Sequence, residues 1–555
     1  MKKIEPRKTF SFKITDLIPV DVFHSSMLAG ALIFFPSLFI LTANSFDNWL
    51  GIFAERLLML LLFILIGAIG PKTCRLVLMI IMMIVIFVWD GVDLFCFLQL
   101  KTQIDPSFFE LLKTTNPNEC AGFLKLTLFQ PINLLILFYP ICALLIWFFG
   151  KRYKKWLFPA YLLLSVFIAF LFEIEPAHNG KSLNFVDRID ETLDRVAETG
   201  MKEHLLQLAN SDLNVTTQEK EMTIILVIGE SHSKAHSGLY QYPRDTNPLL
   251  KKRVENGELI VFADVVAPHS FTMYSIPKML TLSAHDTRET FLEMPNIFDL
   301  AKSAGFKTFW LCNHPAYTDK NMIYAPVTSR ANVVVHSSSG NIQNPDEALF
   351  PAYQNALDDP APLKLIVLQL IGSHHDYEKT YPAEKTVFSL DSAPDFFNTD
   401  QKMNRRFVNA YDNSIRYNDF ILDQMITRFE KNGKKGFLLY LPDHGENLYE
   451  QPGMFMHMEF MPTLQSVEIP MYLYLHPEHP DKLLAKSAAN QPFASEDLPY
   501  LLLHLGKLDY PGADMKKSPL SSDFQPKKRL VSNCRVDYEK LKTEGHGNLR
   551  NNNLK

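Results

Sequence analysis

Two carboxylates and an imidazole stand where two buried strands are expected to stop. Ile224-Ile225-Leu226-Val227-Ile228-Gly229 runs straight into Glu230 and Ser231. Gly436-Phe437-Leu438-Leu439-Tyr440-Leu441-Pro442 runs straight into Asp443, His444, Gly445 and Glu446. Continuous apolar runs of this kind are what strands covered on both faces of a parallel sheet look like. Open α/β sheets bind their ligands just beyond the carboxyl ends of such strands. Two carboxylates and one imidazole suit zinc and leave a fourth position for chemistry. Glu230, Asp443 and His444 are therefore expected to grip a metal ion.

A site of this type needs a nucleophile. In Pro268-His269-Ser270-Phe271-Thr272-Met273-Tyr274-Ser275-Ile276-Pro277 three aliphatic hydroxyls compete. A hydroxyl bound to zinc has a lowered pKa and can attack phosphorus as an alkoxide. Spacing alone does not choose between Ser270, Thr272 and Ser275, and each would also serve as an ordinary helix cap. Two further imidazoles are candidates: His374, after the apolar run Leu365 to Ile371, and His457, in Met454-Phe455-Met456-His457-Met458. Either can bind a second metal, hold a phosphoryl oxygen or move a proton.

The elements that must position these groups follow from periodicity. Strands are expected at 222–229, 259–265, 307–312, 363–371, 436–442 and 468–475, with helical stretches such as 295–304 and 409–431 between them. That alternation specifies an α/β domain over 222–543 with a largely parallel central sheet. The last residues, 544–555, read as a polar tail without a fold of its own.

The first part of the chain is different in kind. The whole chain, at 555 residues, exceeds what one core organises. Residues 1–174 hold five runs of a length and apolarity that span a bilayer, at about 24–44, 50–70, 76–97, 127–149 and 156–174. Lys and Arg concentrate in the N-terminus and in the second-to-third and fourth-to-fifth loops, which places the N-terminus inside and everything after residue 174 outside. The second outer loop, 98–126, carries Asp105, Glu110, Thr114, Thr115, Asn116 and Glu119; it is either a solvated connector or part of a site. Residues 175–221 form a linker in which Val186, Ile189, Leu193 and Val196 recur at helical spacing. That amphipathic helix would lie on the membrane or on the globular domain. The net charge of -5 does not suggest nucleic acid. Among 6 cysteines there is no CxxC pair, which argues against a thiolate metal site, and only Cys312 and Cys534 fall in the globular part, where at most one disulfide can form.

Four motifs carry a resemblance: Ile228-Gly229-Glu230-Ser231; Leu239-Tyr240-Gln241-Tyr242-Pro243-Arg244-Asp245-Thr246-Asn247-Pro248; Tyr411-Asp412-Asn413; and Asp443-His444-Gly445-Glu446. In this order they resemble the bacterial phosphoethanolamine transferases of the alkaline phosphatase/sulfatase superfamily, whose plan is also five spans followed by a periplasmic catalytic domain. The resemblance implies an inner-membrane enzyme with a sulfatase-like α/β domain. It implies zinc (one ion, with a second possible) on Glu230, Thr272, Asp443 and His444. Thr272 would be the catalytic nucleophile because the family's lies five residues before a proline, here Pro277. Substrate would be bound by His374 and His457, and by Thr115 and Glu119 of the outer loop. The implied reaction takes phosphoethanolamine from phosphatidylethanolamine to lipopolysaccharide, on core or lipid A, through a covalent phospho-threonine. The chain departs from the lipid-A-modifying members, which carry cysteines close to the nucleophile, and looks more like the core-modifying ones. Leu111 stands where the family's outer-loop set has Asn, and Lys320 is a weak match to the family's lysine after the third strand. The rival readings are a phosphoglycerol transferase or a sulfatase, although Lys278 and Met279 break the sulfatase pattern begun by Ser275-Ile276-Pro277. A membrane sensor with a degenerate enzyme fold is the non-enzymatic one.

Overall fold

The chain divides into two units, Met1–Val196 and Ala197–Lys555. The computed structural model describes residues 213–543, apart from 287–290, 315–323, 338–343, 390–401, 451–455, 458, 460–461 and 533–534. In the first unit it describes Val77, Leu78, Ile81, Ile84, Val88 and Val92, six positions of the expected third span, all helical. Among the described residues no helix is long and apolar enough to cross a membrane. The rest of the expected membrane domain lies outside the described residues, and so do the amphipathic linker helix, Thr115, Glu119, Lys320, Cys534 and the tail 544–555.

Seven strands form the central sheet of the second unit: β1 Met222–Gly229, β2 Leu259–Phe262, β3 Lys307–Cys312, β4 Val333–His336, β5 Leu363–Gln369, β6 Gly436–Pro442 and β7 Met471–Leu475. Their order is β2-β7-β6-β1-β5-β3-β4. Every neighbouring pair is parallel except the two made by β7, which runs against both β6 and β2. Reversing twice across β7 leaves β2 parallel to β6. All the strands that lead into candidate residues therefore end on one edge.

The helices that pack on the sheet include α1 Pro248–Glu255, α2 Thr272–Leu280, α3 Ile297–Ser303, α4 Phe350–Asp358, α5 Lys402–Asn432 and α6 Leu498–Leu505. They cover both faces of the sheet. Ile224, Leu226 and Ile228 of β1 join a core with α2, α3 and α6. Ile225 and Val227 join a second core with α1, α4 and α5. Burial of each such side chain is worth about 1.5–3 kcal/mol. With both faces covered, β1 needs no polar alternation, which is why it reads as an unbroken apolar run.

Three expectations on extent are corrected, the first being that the strand expected over 468–475 begins only at Met471, after Pro470. The strand expected over 259–265 stops at Phe262, because Asp264 turns out to Arg529 at 2.7 and 3.0 Å. The chain then resumes as a short strand, Val265–Val266, paired with Phe493–Ala494. The helix expected over 409–431 already runs from Lys402. The edge strand β4 was not expected at all: it is four residues long and mostly half-exposed.

Candidate metal centre and nucleophile

Register brings the candidate ligands together. Gly229 of β1 pairs with Pro442 of β6, so Glu230 and Asp443 leave adjacent strands side by side. Glu230, Asp443 and His444 are all buried, and each offers a ligand atom within 4.8 Å of the others. The next residue, Ser231, is held at φ 54, a left-handed conformation rare for a side chain that is not glycine. Such strain persists only where surroundings over-determine it. Here the Tyr411 hydroxyl donates to Ser231 O at 2.5 Å, Ser231 N donates to Asp443 Oδ1 at 3.2 Å, and Ser231 Oγ donates to Glu230 Oε1 at 2.8 Å.

Asp443 is divided in its duties. Oδ1 accepts from Ser231 N and from His444 N at 2.8 Å. Oδ2 is buried with no hydrogen-bond partner. A buried carboxylate oxygen left bare costs free energy unless a cation meets it. His444 Nδ1 donates to Gly445 O at 2.8 Å, which leaves Nε2 facing the carboxylates, where it can bind a metal once its proton is displaced. Gly445 itself is required: a Cβ there would lie 2.1 Å from Gln465 O. The donor set thus fits zinc, with one nitrogen and carboxylate oxygens.

The titration of the cluster points the same way. Burial would depress His444, but Asp443 and Glu230 raise it to about 10. Burial, then the Glu230 charge, lifts Asp443 to about 7. Burial opposes ionisation of Glu230, yet its hydrogen bond and charge interaction with His444 hold it below the usual carboxylate range. Without a metal, protons take the place of a cation.

Thr272 opens α2, and its Oγ1 lies 3.2 and 3.1 Å from the Glu230 oxygens and 3.2 Å from His444 Nε2. The two competing hydroxyls point elsewhere. Ser275 Oγ donates to His269 O at 2.9 Å, and Ser270 Oγ donates to Glu459 Oε2 at 3.4 Å. Both serines are fully buried, whereas Thr272 is half-buried. The positive end of a helix dipole also lies at Thr272 and favours anions there.

Imidazoles ring this cluster. The His457 ring packs against His444 at a tilt, with centroids 4.1 Å apart, and its Nδ1 lies 3.3 Å from both oxygens of the buried Glu446. His374 lies in the turn after β5, its ring edge-on to His314 at 6.0 Å. His314 was not foreseen. Its Nε2 is 4.0 Å from Glu230 Oε2 and donates to Leu370 O at 3.2 Å, and burial presses its pKa down to about 4. It follows β3 by two residues, so the rule that singled out Glu230 and Asp443 applied to it as well. Cys312, at the end of β3, is buried with Sγ 3.3 Å from Gln369 Oε1.

Two of the sequence motifs turn out to be a clamp behind the site. The fully buried Asp412 accepts from Arg244 at 2.6 Å, from the Tyr242 hydroxyl at 2.7 Å and from His236 Nδ1 at 2.7 Å. His236 Nε2 donates to Glu450 at 2.9 Å. Burial would depress His236, but Asp412 and Glu450 raise it to about 9. Its charge therefore stabilises the fold fully below the unfolded value near 6.5, and that stability is lost as pH rises through about 9. The ceiling is about 3 kcal/mol. Melting curves of the zinc-loaded protein from pH 6.5 to 9 should fall, and His236→Gln should remove that slope; equal slopes in the two proteins would contradict the assignment.

The sulfatase family model matches residues 222–507, just over half of the chain. The phosphoethanolamine transferase EptC of Escherichia coli is 29% identical over 336 residues, covering 58% of this chain and 57% of that protein. The match thus spans less than two thirds of that relative. The solved C-terminal periplasmic domain of the same protein, in complex with Zn, superposes with a TM-score of 0.55 at 27% identity, covering 59% of this chain and 95% of that one. The phosphoethanolamine transferase CptA of Salmonella typhimurium is 26% identical over 486 residues, 79% of this chain and 82% of that protein. The integral membrane lipooligosaccharide phosphoethanolamine transferase EptA of Neisseria meningitidis shares the fold, with a TM-score of 0.57 at 18% identity over 90% of this chain and 96% of that one.

Proposed function

Because the chain belongs to the sulfatase family, we propose that it is a zinc-dependent phosphoethanolamine transferase. The donor is phosphatidylethanolamine, the acceptor is lipopolysaccharide, and the reaction passes through a covalent phospho-Thr272. The observation that carries this reading is the position of Thr272 Oγ1, within 3.2 Å of both Glu230 and His444, in a cluster where Asp443 Oδ2 has no hydrogen bond and His444 Nε2 lies 3.5 Å from it. The relatives named as phosphoethanolamine transferases and the zinc complex of one of them support it.

Zinc bound by Glu230, Asp443, His444 and Thr272 would lower the pKa of the threonine hydroxyl and offset charge on the phosphoryl oxygens. Thr272 Oγ1 attacks the phosphorus, the bond to the diacylglycerol oxygen breaks, and diacylglycerol leaves. The departing oxygen needs a proton. His457, with Nδ1 turned to Glu446, keeps Nε2 to deliver it. In the second half the same Nε2 takes a proton from an acceptor hydroxyl, which attacks the phosphorus and returns the oxygen to Thr272. His374 flanks the Glu230 side and holds a phosphoryl oxygen, while the neutral His314, its Nε2–H given to Leu370 O, packs beside it. Thr115 and Glu119 of the outer loop, which lie outside the described residues, would contribute to donor binding, the Glu119 carboxylate being suited to an ammonium. The five spans keep the protein in the inner membrane with the catalytic domain in the periplasm, as the Lys and Arg distribution of the loops supports.

Mass spectrometry of lipopolysaccharide from cells with and without the gene tests this directly, with lipid A resolved from core. The expected result is phosphoethanolamine on the core only when the gene is present. Transfer of labelled phosphoglycerol from phosphatidylglycerol instead would replace the donor assignment.

A further inference from the structure

Asp346 is buried at 1% exposure, and its hydrogen bonds go to Asn313, Ile371 and Gly372 rather than to a candidate ligand or imidazole. Its bonds nevertheless join the two turns that carry His314 and His374. Oδ1 accepts from Ile371 N at 2.8 Å and from Asn313 Nδ2 at 2.8 Å. Oδ2 accepts from Gly372 N at 3.0 Å. Asn313 immediately precedes His314, and its Nδ2 also donates to Asn344 O at 2.9 Å. Gly372 precedes Ser373 and His374, and its role is steric as well. At φ +50, a Cβ on it would lie 2.8 Å from Glu230 N. The turn after β5 is thus pressed against the backbone of a candidate metal ligand. Asp346 holds it there.

We propose that Asp346 is a positioning residue for phosphoryl transfer: one carboxylate ties the turns after β3 and β5 together and so sets His314, His374 and the Gly372 contact beneath Glu230. This rests on the transferase reading above. Three donors face the carboxylate, two of them backbone amides. An amide of the same shape has only one acceptor oxygen, so Asp346→Asn must set its NH2 against at least one N–H. Asn313→Ala is milder, since it removes one donor and leaves both backbone bonds.

The test uses the full chain in detergent, loaded with zinc, with bis(4-nitrophenyl) phosphate as substrate and inorganic phosphate as a calorimetric ligand. Activity is expressed per folded, zinc-loaded molecule. Asp346→Asn should lower kcat by about 10–100-fold, the range in which outer-sphere partners act, and raise KM as the phosphoryl contacts weaken. Phosphate affinity should fall along with it, and Asn313→Ala should fall between the variant and wild type. A purely structural residue would lower Tm and the folded fraction but leave kcat per folded molecule and phosphate affinity unchanged; that result would overturn the proposal. If Asp346→Asn does not fold, unchanged kcat and phosphate affinity in Asn313→Ala overturn it equally. If the wild-type protein binds phosphate but does not cleave the diester, the transferase reading fails, and phosphate affinity in the two variants still decides the role of Asp346.

Discussion

Thr272→Ala abolishes transfer, with a loss on the order of 10^4-fold or more, and the protein still folds. The size follows from the chemistry: in a covalent mechanism nothing replaces the attacking oxygen. Ser270 and Ser275 are near in sequence but are spent on Glu459 and on His269 O, both inside the core. The cost to the fold is small. Thr272 is the first residue of α2, is half-buried, and makes way for alanine, the best helix former. Thr272→Ser keeps the hydroxyl and should keep measurable activity. Intact-protein mass spectrometry after incubation with donor lipid should show one phosphoethanolamine adduct on wild type, mapped to Thr272, and none on the alanine variant. An adduct that survives in Thr272→Ala moves the nucleophile elsewhere.

The parts of this site that the sequence disclosed share one physical property. β1 and β6 are buried along their whole length, so each reads as an apolar run whose end is visible as the first polar residue, Glu230 or Asp443. The direction of β7 was not visible. Met471–Leu475 is equally buried, and a strand covered on both faces looks the same whichever way it runs. Long-range bonds were invisible too. Asp346 acts on amides 25 and 26 residues away, and nothing local marks it. The motif Tyr411-Asp412-Asn413 misleads in the opposite sense. Its acidic residue stands in a recognisable pattern, yet it binds Arg244, Tyr242 and His236, while Tyr411 reaches over to Ser231. It shapes the turn after Glu230 and contributes no ligand atom to the cluster of Glu230, Asp443 and His444.

Asp443→Asn separates the metal from the fold. The amide oxygen can still accept from Ser231 N and His444 N, the two bonds that anchor the turn after β6. The NH2 then occupies the place of the bare Oδ2 and cannot bind a cation. Two buried carboxylates become one, so both the burial of a charge at 443 and its repulsion from Glu230, which together lift Asp443 to about 7, disappear. The metal-free variant should therefore melt no lower than metal-free wild type. Zinc should tell the two apart. At a thousandfold excess over Kd a ligand stabilises the native state by about 4 kcal/mol, roughly an 8 °C rise in Tm for a domain of this size. Wild type should show that rise and the variant none, with transfer lost to the limit of detection. The wild-type affinity should also weaken as pH falls from 8 to 6. Asp443 and His444 are the protonated members of the metal-free cluster, and zinc must displace their protons before it binds. A full complement of zinc in Asp443→Asn, with an unaltered rise in Tm, would remove Asp443 from the ligand set and leave its bare oxygen without an explanation.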